Sequence, residues 1–477
     1  MTRLRTRLAA ATLLAIAGQP ATTLARPPAT AAPVSAPAPA DETLLRRQTV
    51  APLPGGLDQV PVINDNNPEL ISGPGILLST FQGQGRGQPD AHLDRPLSGR
   101  FELFSHHVYA GRPETLTSTL WLAVLAQPRG PRPLNLRLVS GSTALSQATA
   151  AGQAAAPFLP LPPLLEQAGG SPAWSGPGSR VATELLDRSR SPELPEGWTL
   201  RPGIPSTLLV LPLPVRGLDP LLNGRNLQLR LESDGPVDIA TLAAFGDGDQ
   251  PPPAARWAEL LDGPLSPKEH QPTPRGSQGK LIYSRVSGVQ IGATWSGRIT
   301  DPGATTFSAS RAPISWPIAS LERGSLGTGQ VQTAELSAAY GGTAWAAHGN
   351  YGVLYDLSLP LRNDTPGPLT LNLAIESPLK HDQPLGGLRF RRQPARAVMF
   401  RGTVEVSGLD GGGRRRFHLV QRAGQQGPAL GSISLAPGQV RQLRVRLIYP
   451  ADATPPQVLS LLPGAVKQSE VPPAARP

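Results

Sequence analysis

The stretch YDLSLPLRNDTPGPLTLNLAIES, Tyr355 to Ser377, decides the class of fold. Its second half places Leu369, Leu371, Leu373 and Ile375 at every other position. Side chains of a strand alternate between faces, so period two means one apolar face and one wet face. The polar, Pro- and Gly-containing break in the middle predicts a turn between two strands. The stretch TLWLAVLAQPRGPRPLNLRLVSG (119–141) has the same plan. A second pair follows: RPGIPSTLLVLPLPVRGLDP (201–220) and LAPGQVRQLRVRLIYPADAT (435–454) both set a Pro-Gly turn before an alternating strand. The order recurs after roughly 235 residues, which predicts two copies of one β-unit.

Other segments extend the pattern. MFRGTVEVSGLDGGGRRRFHLVQR (399–422) predicts a hairpin with a Gly-rich tip, and NLQLRLESDGPVDIATLAAF (226–245) predicts strand, Asp-Gly turn, strand. Helix is confined to PPPAARWAELLDG, with Pro253 at the first helical position, and to residues 179–190. The expected fold is all-β: two tandem β-sandwich domains with short helical insertions. The expected boundaries are a signal peptide over 1–25, a Pro/Ala tether over 26–50, and a first sandwich over 51–265. A polar Pro-rich linker over 266–280, a second sandwich over 281–465 and a disordered tail over 466–477 complete them.

Bulk properties agree with this organisation. The chain has 477 residues, 51 Gly and 56 Pro, yet 39% of it is apolar, enough to fill a core between many turns. The first residues carry Arg3, Arg5 and Arg7, an apolar run from Leu8 to Ala17, and small residues at Thr23 and Ala25, the pattern of a Sec-type export signal. No later stretch is long and apolar enough to span a membrane. With no Cys there is no disulfide, lipidation thiol or thiol nucleophile. The formal net charge is +10, and +7 without the three signal arginines. Outside the cytoplasm such an excess points to anionic wall or surface polysaccharide as a partner. No nucleic-acid-binding motif is present, and no motif implies a cofactor.

Few residues stand out for chemistry. Asp90, His92 and Asp94 would share one face of a regular strand and could approach a metal there, but the flanking Pro and Gly predict a loop. His106 and His107 are adjacent in a strand and must point to opposite faces. Trp174 and Trp198 sit in Gly/Pro-rich stretches and could stack on sugar rings. Arg414, Arg415 and Arg416 form a basic cluster after the turn at 408–413. No nucleophile elbow, catalytic triad or phosphate loop is found, so no catalytic residue is assigned. Paired carboxylates brought together by the fold would leave no local signature, which keeps a secreted polysaccharide hydrolase as the alternative to a non-enzymatic binding or structural protein. A third reading is an assembly factor that offers an exposed strand edge.

The stretches VPVINDNNPELISGPGILLSTF, AHLDRPLSGRFELFSHHV, LGTGQVQTAEL, AHGNYGVLY and YPADATPPQVLSL, among others, resemble a cyanobacterial family of exported proteins classed only as a domain of unknown function. The resemblance covers roughly residues 50–460. It implies an envelope or extracellular setting and assigns no activity and no site residues.

Overall fold

The computed structural model describes residues 42–147, 161–167 and 173–464. The expected signal peptide, the tether up to residue 41 and the tail over 466–477 lie outside the described residues. The fold is all-β. The first strands are β1 (Thr43–Arg47), β2 (Thr49–Val50), β3 (Gly56–Leu57), β4 (Pro61–Asp65), β5 (Gly75–Ser79) and β6 (Leu97–Ala110). Next come β7 (Leu120–Pro128), β8 (Leu134–Leu145), β9 (Leu164–Gln167), β10 (Gly197–Leu200), β11 (Ser206–Leu213) and β12 (Leu222–Phe245). The second half adds β13 (Ser287–Ile291), β14 (Thr294–Arg298), β15 (Phe307–Ser308), β16 (Ile314–Ile318), β17 (Leu336–Ala339), β18 (Leu354–Arg362) and β19 (Leu369–Glu376). It closes with β20 (Gly387–Arg391), β21 (Val398–Ser407), β22 (Arg414–Arg422), β23 (Ala429–Leu435), β24 (Val440–Ile448) and β25 (Gln457–Pro463). The α-helices among the described residues are α1 (Pro177–Leu186) and α2 (Ala254–Leu261).

The duplicated plan is visible in the strand pairing. In the first unit β7 pairs β11, and β8 pairs both β10 and β12. In the second, β18 pairs β24, and β19 pairs both β23 and β25. β6 lies beside β12 as β16 lies beside β25, and each takes a parallel neighbour, β4 and β2 respectively. The turn at 363–368 therefore carries the chain from one sheet to the facing sheet, because β18 and β19 are not paired with each other. The leucines of β19 meet those of β18 and β24 across a core that includes Trp316, Phe400 and Tyr449.

Three expectations change. Asp234-Gly235 makes no hairpin. β12 runs on through it, pairing β8 as far as Ser233 and β7 from Val237. Gly235 does not adopt the positive φ that a two-residue hairpin turn needs. Instead the Asp234 carboxylate accepts the Asn135 backbone N–H at 2.9 Å, and the strand continues within the same sheet, exchanging β8 and β6 for β7 and β5 as partners. Pro253 caps α2 rather than opening it, and α1 ends at Leu186, short of the expected residue 190.

The third change concerns the domain boundaries. Residues 43–50, expected in the tether, form β1 and β2, which pair with β20 and β16 of the second unit. β3 pairs β14 of the second unit, yet β4, four residues on, pairs β6 of the first. In return β13 and β17 extend the first-unit sheet through β4, and β9 pairs β22. The segment 266–280 is not a free linker. Lys268 reaches inward, its Nζ donating to Asn67 O at 2.6 Å and to Leu77 O and lying over the Tyr340 ring at 5.0 Å. Polar side chains that serve backbone carbonyls leave no apolar period to read, so this packing is silent in the sequence.

One ion pair fastens the N-terminal strands. Arg46 donates to Glu376 Oε1 at 2.9 Å and also bonds its other oxygen, and Glu376 is fully buried. The Ser460 hydroxyl donates to the same carboxylate at 2.6 Å. Removing one partner of a buried pair strands the other charge. Arg46→Ala is expected to lower stability by roughly 3 kcal/mol, read as the shift of the urea midpoint. Adding Glu376→Gln should recover most of that loss. A midpoint equal to the wild type in Arg46→Ala would contradict this attachment.

Candidate functional site

Asp90 lies in a 3-10 turn, Pro89–Ala91, and is exposed. His92 turns inward, with Nδ1 on Ser79 Oγ at 2.7 Å, and burial together with the nearby Arg86 charge pushes it down to about 4. Asp94 has φ 48° and pairs with Arg129 at 2.6 Å. Arg129 also clamps Asp238, so this carboxylate anchors a loop to β12. A 3-10 turn does not keep the i, i+2, i+4 alignment of a strand, and the three side chains diverge: Asp90 is exposed, His92 meets Ser79 and Asp94 meets Arg129. Among the described residues no group of three His, Asp or Glu could hold a metal ion.

His106 and His107 do face opposite sides. His107 is fully buried and bonds Pro68 O at 2.7 Å and Asp65 Oδ2 at 2.9 Å. Burial pushes the Asp65 carboxyl up, but the charges of His107 and Lys268 outweigh it and leave the group below its ordinary value. Trp174 lies 5.6 Å beneath the Arg180 guanidinium. Trp198 belongs to β10, where its indole donates to Leu208 O at 3.2 Å and its ring packs on the first-unit core. Both aromatic residues have structural partners.

The arginine cluster divides by strand parity. Arg415 shares a face with Phe417, lies over its ring at 5.1 Å, and bonds Glu166 of β9 at 2.5 Å. Arg414 and Arg416 point to the other face of the sheet, the one that α1 half covers. Register sets Glu405 of β21 opposite Arg416 and opposite Arg446, and Asp356 of β18 opposite Arg446. The buried Glu405 carboxylate accepts Arg446 at 2.9 Å and Arg416 at 3.3 Å, and faces Arg414 at 3.4 Å. Asp356 takes Arg444 through two bonds of 2.8 and 2.6 Å. Asp187, just past the end of α1, takes Arg416 at 2.8 Å, which holds that guanidinium above its ordinary value. Such cross-strand pairs stiffen the sheet and fix the side chains in place.

Where α1 ends, this face opens into a groove of about 380 Å³ lined by Arg188, Arg414, Arg444 and Arg446 with Asp187 and Asp356. Arg188 is exposed, and the side chains of Arg414 and Arg444 are 62% and 56% exposed, so their outer N–H groups face solvent. With Arg416, five guanidiniums stand against three carboxylates. Sequence reading found Arg414 and Arg416 but not the other three. The signal was the parity of Arg444 and Arg446 on the polar face of RQLRVRLIY, which becomes meaningful only once β24 is known to lie beside β21.

A second concavity lies between the units. It measures about 310 Å³ and is lined by Glu69, His106 and Gly224 from the first unit and by Tyr351, Arg401 and Asp452 from the second, among others. Glu69 bonds Arg285 and lies 3.9 Å from His106 Nε2. Asp452 accepts the backbone N–H of Ser179 at 2.7 Å and so satisfies the first turn of α1. Gly176 lets it do so: φ there is +103°, and a Cβ would sit 2.6 Å from Asp452 Oδ2. Burial pushes the Asp452 carboxyl up to about 6, against the pull of those N–H groups and of Arg401.

The chain matches the family model described as protein of unknown function (DUF3370) over residues 48–463. It belongs to that family. The DUF3370 region runs from the start of β2 to the end of β25 and so takes in both β-units as one module. No curated protein matches the chain. Among the described residues of this DUF3370 protein no helix is long and apolar enough to cross a membrane.

A carboxyl whose folded-state pKa exceeds its unfolded value contributes stability below the unfolded pKa, and that contribution fades as pH rises through the folded one. For Asp452 the window runs from 3.8 to about 6. Asp452→Asn keeps an oxygen acceptor for Ser179 but cannot ionise. Its melting temperature should fall less than that of the wild type between pH 4 and 6. Parallel pH profiles would contradict the raised carboxyl.

Proposed function

We propose that this DUF3370 protein is an exported, non-enzymatic protein of the cyanobacterial cell envelope that holds an anionic wall or surface polysaccharide in the guanidinium groove at the end of α1. The groove carries the reading. Guanidiniums held by the buried Glu405 and by Asp356 and Asp187, with the exposed Arg188 beside them, keep outer N–H groups aimed at solvent, a geometry suited to carboxylate or sulfate groups along a polymer. Because acids already orient Arg414, Arg416, Arg444 and Arg446, less side-chain entropy remains to be lost on binding. The export-like N-terminus and the basic excess support the same setting.

The alternatives fit less well. A hydrolase needs a free acid and a free base or nucleophile flanking the bond. Glu69 and Asp452 share a cleft, but one is paired with Arg285 and the other caps a helix. Strand-edge docking needs a long open edge; the end strands β9, β10 and β17 have four residues each, while Asp410 and Arg441 bond the backbone of the seven-residue β23 at Ser432 and Ser434, and Trp198 and Arg225 bond that of the eight-residue β11 at Leu208 and Pro212.

The test is co-sedimentation with isolated cell walls at low and at about 0.5 M salt, where screening shortens to a few ångströms. The double variant Arg188→Glu/Arg414→Glu should lose at least tenfold in retained protein. A control with the same charge change elsewhere, Arg47→Glu/Arg362→Glu, should lose far less. Equal losses would reduce the attraction to net charge, and full retention in the groove variant would contradict the assignment.

A further inference from the structure

We propose that the cleft between the two β-units is a separate binding site for a neutral sugar ring. The cleft of about 310 Å³ continues into a neighbouring hollow of about 180 Å³, since Asn66, Arg285, Tyr351 and Thr454 line both. Concavities between packed units are where small ligands are most often held. The charges differ from those of the groove. In the larger hollow each arginine has an acid beside it: Arg285 with Glu69 and Glu269, and Arg401 with the charge of Asp452, while Lys380 lines only the smaller hollow. A charged ligand would satisfy one member of each pair and leave the other desolvated. A hydroxyl both donates and accepts. Neighbouring hydroxyls on a ring can therefore engage a guanidinium and its carboxylate together, without disturbing either.

Two further features fit a sugar. The Tyr351 ring lines both hollows and is held in place, its hydroxyl donating to Ala453 O at 2.9 Å and its ring stacked on Tyr449 at 5.9 Å. A fixed aromatic ring suits the C–H face of a pyranose. Asn66, buried at the wall shared by the two hollows, has an amide oxygen with no donor among the described residues. Buried amide oxygens ordinarily have one, so this atom is poised to accept from a hydroxyl.

The experiment is saturation-transfer NMR on the full chain with glucose, galactose, mannose and N-acetylglucosamine, at about 0.5 M salt to suppress non-specific charge attraction. At least one sugar should bind with a Kd below about 10 mM. Val398→Trp, which fills the cleft mouth, and Glu69→Gln, which removes one acceptor charge, should each weaken binding at least tenfold. Arg188→Glu/Arg414→Glu should leave it unchanged, which separates this site from the groove. Melting curves establish that each variant is folded, and Glu69→Gln carries the test if Val398→Trp is not. No saturation transfer to any of the four sugars, or binding unaltered in the folded cleft variants, overturns the proposal.

Discussion

Backbone hydrogen bonds along residues 43–65 hold the two β-units together. Within that short run, β2 lies parallel to β16 and β3 pairs β14, both in the second unit, before β4 joins β6 and β13 in the first-unit sheet. Ladder bonds are directional and must be satisfied in pairs, so the run fixes how the sheets stand relative to each other. α1 then packs against both: Val181, Ala182 and Leu185 share a small core with Ala144 of β8 and Ile448 of β24. Its first turn is capped from the second unit by Asp452, and the Asp187 carboxylate past its last turn holds Arg416. The cleft opens at the start of this helix and the groove at its end. Both concavities thus depend on one seam.

Much of the fold was legible because the constraint behind it is local. Period-two leucines in β19 and β8, Pro-Gly turns before β11 and β24, and the Gly-rich hairpin between β21 and β22 follow from side-chain alternation and turn chemistry. Strand partners were not legible, since pairing is set by contacts far apart in sequence. The Asp-Gly in β12 reads as a hairpin by its residue types, and only the ladder to β7 and β8 makes it part of one continuous strand. The boundary at 266–280 failed for a related reason. A polar segment looks like a linker whether or not its side chains, as with Lys268, are spent on buried carbonyls.

The sites divide in the same way. Parity alone separates Arg415 from Arg414 and Arg416, whereas Arg188, Arg444 and Arg446 join the cluster only through register and the position of α1. Buried carboxylates that bind several arginines add little stability at the surface once desolvation is counted, but they set the spacing and direction of the outer N–H groups. Glu405 is such a hub, with three guanidiniums around it. In the cleft, Arg285 lies between Glu69 and Glu269, and Arg401 feels the charge of Asp452. The same two residue types therefore build a basic recognition face in one place and a neutral polar pocket in another.

Differential scanning calorimetry of the full chain tests the seam most directly. Two units locked by a shared N-terminal run and a shared helix should unfold in one transition, with calorimetric and van't Hoff enthalpies equal. Two separable transitions, each with the heat of one β-unit, would contradict the account and leave the cleft as an accident of two independent bodies in contact.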